Sequence, residues 1–184
     1  MKFNLRLFAL SLLTGLLGCL IGQAQVKKQR TFLFIGAHPD DETAISEALA
    51  KYARLGNNVY VIITTDGKDG TRVTSIPAGD SLGGLRKLES ACGCKALGLK
   101  PPIFFSIERL DTKIGVGKYF KAHKQLMDSL LKWIPRINPD IIIAQGPDGD
   151  THHSEHIVVG ATVTEVLLAE GWVDRYPLYY FAWE

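Results

Sequence analysis

Thr31-Phe32-Leu33-Phe34-Ile35-Gly36-Ala37-His38-Pro39-Asp40-Asp41-Glu42 is the stretch on which the fold turns. Thr31 to Ala37 is an unbroken apolar run ending in two small residues, the pattern of a strand buried on both faces. An alternating strand would show water one face, so a continuous run places this one inside a parallel sheet. Helical sequence follows at once. From Glu42 to Gly56 the residues Ala44, Ile45, Ala48, Leu49, Tyr52 and Leu55 form one stripe, and Gly56 supplies the stop.

The same alternation continues outward along the chain. Val59 to Thr64 reads as a second strand, Thr65 to Gly79 as a polar glycine-rich loop, and Leu85 to Gly98 as a helix. Ile103 to Ser106 is a third strand, and Gly117 to Ile134 a helix that Pro135 is expected to end. Asp140 to Gln145 is the clearest buried strand after the first, a helix from Ser154 to Glu170 follows, and Leu178 to Ala182 offers a last strand. Strands alternating with helices argue an α/β fold with a mostly parallel sheet and helices on both faces. With 184 residues and 46% apolar content, the chain supports one such domain rather than two.

Lys2 and Arg6 precede an uncharged apolar stretch from Leu7 to Ile21, with Gly22 and Ala24 placed for cleavage after residue 24. This is the pattern of a signal peptide at 1–24, too short in its apolar core for a membrane span of about 20 residues. The expectation is a secreted or periplasmic domain over 25–184, truncated after Glu184 if a closing helix belongs beyond the last strand. Leu16-Leu17-Gly18-Cys19 also resembles a bacterial lipobox, so the alternative is a lipoprotein tethered to a membrane through Cys19. Without Lys2 and Arg6 the remaining chain balances 19 basic against 19 acidic residues, which gives no electrostatic case for nucleic acid. Cys92 and Cys94, one residue apart, are too close for an unstrained mutual disulfide and read as small buried thiols. His123, isolated among lysines, reads as a surface residue.

Two strand exits concentrate the unusual residues: His38-Pro39-Asp40-Asp41-Glu42 after the first strand, and His152, His153 and His156 after the fourth. In an open parallel sheet such exits build the ligand site, and they face each other if the first and fourth strands are neighbours. Carboxylates at a helix start are commonly caps, and a lone histidine is usually structural. Capping does not explain both clusters together. Imidazole nitrogen and carboxylate oxygen suit zinc, whose catalytic sites take three protein ligands. His38, Asp41 and His156 supply such a set, Asp40 can accept a proton from a water that the metal activates, and His153 shares a helical face with His156.

Ala37-His38-Pro39-Asp40-Asp41-Glu42 resembles the AHPDDE signature of the PIG-L/LmbE-like deacetylases, and His153-Ser154-Glu155-His156 resembles their second H-x-x-H block. The resemblance runs from Thr31 to Ala182. It implies a Rossmann-like three-layer fold and a zinc-dependent hydrolase, with another divalent metal as alternative, removing an N-acetyl group from an N-acetylglucosamine-type sugar or glycoconjugate. It further implies His38, Asp41 and His156 as metal ligands, Asp40 as general base, and His153 as the oxyanion-stabilising or proton-handling histidine; in the oxyanion role a protonated His153 is preferred. Gly70-Thr71-Arg72 resembles a loop where members carry a substrate-contacting arginine, which implies that role for Arg72. Ser154-Glu155 departs from the usual Pro-Asp but is expected to touch no ligand, while His152 adds a neighbouring imidazole. The rival readings are a metal-dependent phosphoesterase, for which a two-metal site would need more ligands, and a non-catalytic carbohydrate-binding module on the same fold.

Overall fold

A computed structural model describes residues 28–182, so the expected signal peptide and the lipobox reading at Cys19, like the last two residues of the chain, lie outside the described residues. Five strands, β1 (Thr31–Gly36), β2 (Asn58–Thr65), β3 (Ile103–Ile107), β4 (Ile141–Gln145) and β5 (Leu178–Phe181), form one sheet in the order β3-β2-β1-β4-β5. Every pairing is parallel. The strand order reverses beside β1, which lies between β2 and β4.

The continuous apolar run of β1 is buried on both sides because alternate residues serve different layers. Leu33 and Ile35, with Ile62, Ile142 and Ala144, pack against α3 (Val116–Ile137) and α4 (Ser154–Ala169). Phe32 and Phe34, with Val59, Val61 and Ile63, pack against α1 (Ser46–Arg54) and α2 (Asp80–Ala96). Helices thus cover both faces, the three-layer α/β architecture expected from the alternation. On α3 the buried residues Ala122, Leu126, Leu130 and Ile134 recur every fourth position, a single apolar stripe over the sheet. Among the described residues no helix is long and apolar enough to cross a membrane.

Several local expectations need correction. The helix expected from Glu42 begins instead as a 3-10 turn over Asp41–Ile45, and α1 starts only at Ser46. The reason is Asp41, whose carboxylate folds back onto the backbone N–H groups of Ala37 and His38 and tightens the first turn. Ala48 and Leu55 of the expected stripe are exposed. Pro135 does not end α3, which runs two residues further and closes at Asn138, left-handed at φ 49°. A proline so near the helix end forfeits only one N–H bond. Cys94 is buried but Cys92 is exposed, since positions two apart on a helix point to different sides. The Cys94 thiol is pushed up to about 12 by burial, and then by the Glu42 carboxylate. His123 is partly buried, its ring against Tyr119 and its Nε2 3.5 Å from Glu165.

Candidate metal centre and active site

The neighbouring β1 and β4 bring the two chemistry-bearing strand exits together. Leu33 pairs with Ile142 and Ile35 with Ala144, so both strands end level, and His38 follows one exit as His156 follows the other. Two glycines permit the approach. A Cβ at Gly36 would lie 2.9 Å from Asp41 Cβ, so only glycine lets the Asp41 carboxylate fold back over the strand end. A Cβ at Gly160 would overlap the carbonyl oxygens of Gln145 and Gly146, so glycine lets α4 sit directly on the end of β4.

Three atoms converge there. His38 Nδ1 lies 3.1 Å from His156 Nε2 and 3.7 Å from Asp41 Oδ1, and His156 Nε2 lies 3.3 Å from Asp41 Oδ1. Tetrahedral zinc with bonds of about 2.0–2.2 Å sets its ligands about 3.3–3.6 Å apart. The observed triangle fits that size, and its nitrogen and carboxylate donors fit the ion. His153 joins the two histidines in a looser set, whose nitrogens lie within 4.8 Å of one another.

Each member of the triangle is held from behind. Asp41 Oδ2 accepts from the backbone N–H of Ala37 (2.7 Å) and His38 (2.8 Å) and from Gln145 Nε2 (2.7 Å), which leaves Oδ1 turned to the histidines. His38 Nε2–H donates to Glu155 Oε2 at 2.8 Å, and Glu155 Oε1 accepts the backbone N–H of Leu110 at 2.7 Å. Burial alone would lower His38, yet its bonds to Asp41 and Glu155 prevail and raise it to about 9. For Asp41, burial pushes upward, but His156 and His38 beside it hold the carboxyl far below the usual carboxylate range. Glu155, whose burial also pushes upward, is lowered by the bond from His38.

Asp40 lines the same cavity, of about 730 Å³, as His38, Asp41, His153 and His156. Its backbone is left-handed at φ 119°, a strained conformation for a non-glycine residue. Glu42 Oε2 accepts its N–H at 3.1 Å, and the buried Glu42 is itself anchored by Ser90 Oγ at 2.7 Å. Arg86 donates from Nη2 to Asp40 Oδ2 (2.7 Å) and to the Pro39 carbonyl (2.8 Å), and from Nη1 to the Gly67 carbonyl (2.8 Å). The Asp40 carboxyl is raised above its ordinary value, because partial burial outweighs the pull of Arg86.

His153 is the N-cap of α4, and its Nδ1 accepts the N–H of Glu155 at 3.3 Å. That bond uses the Nδ1 lone pair, so the proton of the neutral ring resides on Nε2. Burial, together with His38 and His156 close by, lowers its pKa. With Nδ1 so engaged, Nε2–H remains available as a donor. His152 lies outside the cavity lining, exposed at φ 58° with Nδ1 3.3 Å from the Asp148 carbonyl. Arg72 is exposed on the cavity wall.

The profile of PIG-L, described as GlcNAc-PI de-N-acetylase, matches residues 33–167. The chain belongs to the PIG-L family. It is 27% identical over 166 residues to the 1D-myo-inositol 2-acetamido-2-deoxy-alpha-D-glucopyranoside deacetylase of Rhodococcus opacus, a match covering 81% of this chain and 56% of that protein. The chain therefore spans little more than half the length of this curated relative. Among solved structures, N,N'-diacetylchitobiose deacetylase from Pyrococcus horikoshii superposes with a TM-score of 0.65 at 20% identity, over 95% of this chain and 62% of that one. The 4-carboxy-2-hydroxymuconate hydratase GalB of Pseudomonas putida does so with a TM-score of 0.61 at 20% identity, over 78% and 59%. These likenesses confirm the fold.

The structure brings together all five residues of the two PIG-L motifs that the sequence singled out, His38, Asp40, Asp41, His153 and His156, and Arg72 lines the same cavity. Glu155, at a position where the sequence departs from the motif, bonds His38 directly. Sequence reasoning also missed the supports Gln145 and Arg86. Glu155 carried a usable signal, as an acidic residue beside a histidine cluster, but Arg86 lies 46 residues from the Asp40 it meets.

Proposed function

We propose that the protein is a divalent-metal-dependent N-deacetylase, with zinc the preferred ion, acting on the acetamide of an N-acetylglucosamine-type sugar or glycoconjugate. The observation that carries this reading is the triangle of His38 Nδ1, Asp41 Oδ1 and His156 Nε2, opening on one cavity with Asp40 and His153. The named deacetylase activities of the relatives support the same substrate class. His38, Asp41 and His156 would hold the ion, which supplies Lewis acidity to polarise an amide carbonyl and to make a water acidic near neutral pH.

The remaining chemistry belongs to the chain. Asp40 takes the proton of the attacking water, with Arg86 fixing one carboxylate oxygen and leaving the other for the proton. A base slightly stronger than a free carboxylate suits the task, and the raised Asp40 carboxyl meets that need. His153 Nε2–H donates to the oxyanion that develops on the former carbonyl oxygen, a contribution of roughly 3 kcal/mol for one such donor. As the C–N bond breaks, Asp40 returns its proton to the departing nitrogen, and acetate and a free amine result. Arg72, exposed in the cavity lining, would contact the sugar or its aglycone. The signal pattern at 1–24 supports export of this activity to the periplasm or beyond.

Acetate release from a panel of N-acetylated sugars, with and without chelator, tests the proposal, and phosphate release from phosphoesters is measured alongside. Chelator-sensitive acetate release is the expected result. Phosphate release without acetate would favour the phosphoesterase reading, and neither product a binding module.

A further inference from the structure

The loop from β4 to α4 buries a carboxylate that takes no part in the chemistry above. Asp150 adopts φ 61°, and its N–H donates to Asp148 Oδ1 at 3.2 Å. The Asp150 side chain is only 4% exposed. Its Oδ1 is buried without a hydrogen-bond partner among the described residues, and its Oδ2 lies 3.7 Å from His156 Nδ1. The Gly149 carbonyl lies 3.3 Å from the same nitrogen. A buried carboxylate with an unpartnered oxygen is costly unless positive charge compensates it. Its surroundings do not otherwise help, since Asp41 and Asp148 are also acidic and His156 is its nearest source of positive charge.

The two nitrogens of His156 have different tasks. Nε2 faces His38 and Asp41 on the metal side, so the ring proton must sit on Nδ1, the nitrogen that faces Asp150. A histidine that ligates a metal commonly donates its other ring N–H to a carboxylate or carbonyl, and loss of that partner costs ten- to a hundredfold in metal affinity. Asp150 is not itself a ligand of the triangle, because it meets the opposite edge of the ring. We propose that Asp150 is a positioning residue whose carboxylate, 3.7 Å from His156 Nδ1, favours by its charge the tautomer in which Nδ1–H donates to the Gly149 carbonyl and Nε2 is left to the ion, and adds buried negative charge that favours a divalent cation. This rests on the metal reading given above.

Asp150→Asn separates charge from backbone geometry, because asparagine tolerates the left-handed conformation and the turn uses the carboxylate of Asp148. Asp150→Gly is the second variant, free of strain at φ 61°. Zn2+ affinity is measured against a chromophoric chelator, thermal unfolding is recorded on the metal-stripped protein, and the histidine ring N–H resonances are followed on zinc-loaded protein. The expected result is a ten- to hundredfold loss of zinc affinity in both variants, with an unchanged or higher melting temperature of the stripped protein. In Asp150→Asn the Nδ1–H resonance of His156 should move while the Nε2–H resonance of His38 stays. Affinity within twofold of wild type, when His156→Ala abolishes binding, overturns the role of Asp150 and leaves the metal reading intact. A lower melting temperature of the stripped Asp150→Asn variant with no movement of the His156 resonance makes the residue structural and also overturns it. A wild-type protein that binds no stoichiometric zinc overturns both.

Discussion

Glu155→Gln is the substitution that probes the support of the site most sharply. The wild-type carboxylate accepts two N–H groups, His38 Nε2–H at 2.8 Å and the Leu110 amide at 2.7 Å, and the residue is 8% exposed. A carboxamide of the same shape has one acceptor oxygen and one donor NH2, so it cannot serve both. If the oxygen stays on Leu110, the NH2 faces His38 Nε2 and favours the tautomer with its proton on Nδ1. That is the atom aimed at His156 and Asp41, and a protonated Nδ1 cannot ligate. If the amide flips, the buried Leu110 N–H meets a donor, at a cost of about 1–3 kcal/mol for an unsatisfied group. Either way the variant loses a charge-assisted hydrogen bond of about 1.5–3 kcal/mol, so zinc affinity should fall by ten- to a hundredfold. Competition with a chromophoric chelator measures it, with calorimetric melting of the stripped protein as control. Zinc affinity within twofold of wild type, together with an unchanged melting temperature, would refute the argument that Glu155 sets the His38 tautomer.

Asp40→Asn should keep zinc and fold but lose turnover by a hundredfold or more, measured as acetate release, since the amide keeps the shape and cannot take the proton. His153→Ala should lower the rate at saturating substrate about a hundredfold with zinc content near wild type, whereas His152→Ala should be nearly silent, and the reverse pattern would move the role by one residue. For the metal-stripped protein, the raised His38 predicts a direction with pH. Below its ordinary 6.5 the residue is protonated both folded and unfolded, and its pairing with Asp41 and Glu155 contributes fully. As pH climbs through about 9 the folded imidazolium loses its proton and that contribution disappears. Chemical denaturation of stripped protein should therefore show stability falling from about pH 6.5 to 9, and zinc-loaded protein, whose His38 is already neutral, should lack that fall.

Much of this architecture was legible because burial leaves period and composition in the sequence. The double-sided burial of β1 required the apolar run Thr31–Gly36, and the tight handover to Asp41 required the small residue Gly36. The sequence placed both motifs at strand exits and made their meeting conditional on β1 and β4 being neighbours, and the strand order meets that condition. The supports were less visible, for a physical reason. Gln145 reaches Asp41 from 104 positions away and Glu155 reaches His38 from 117, and neither bond imposes a local pattern on the chain. The errors at Ala48 and Pro135 have opposite sources, since the first assumed an ideal helix from Glu42 and the second gave the proline too much weight as a stop. The carboxylate of Asp41 tightened one helix start, and the other helix needed only one N–H fewer to pass its proline.

The central claim is that two strand exits combine into one site for a single divalent ion. Elemental analysis of the purified chain, loaded with zinc and dialysed, tests it most directly. The account predicts one zinc per chain in wild type and in Asp40→Asn, with zinc lost in a His38→Ala, His156→Ala double variant that still shows the wild-type far-ultraviolet spectrum. Stoichiometric zinc surviving in the folded double variant would contradict it.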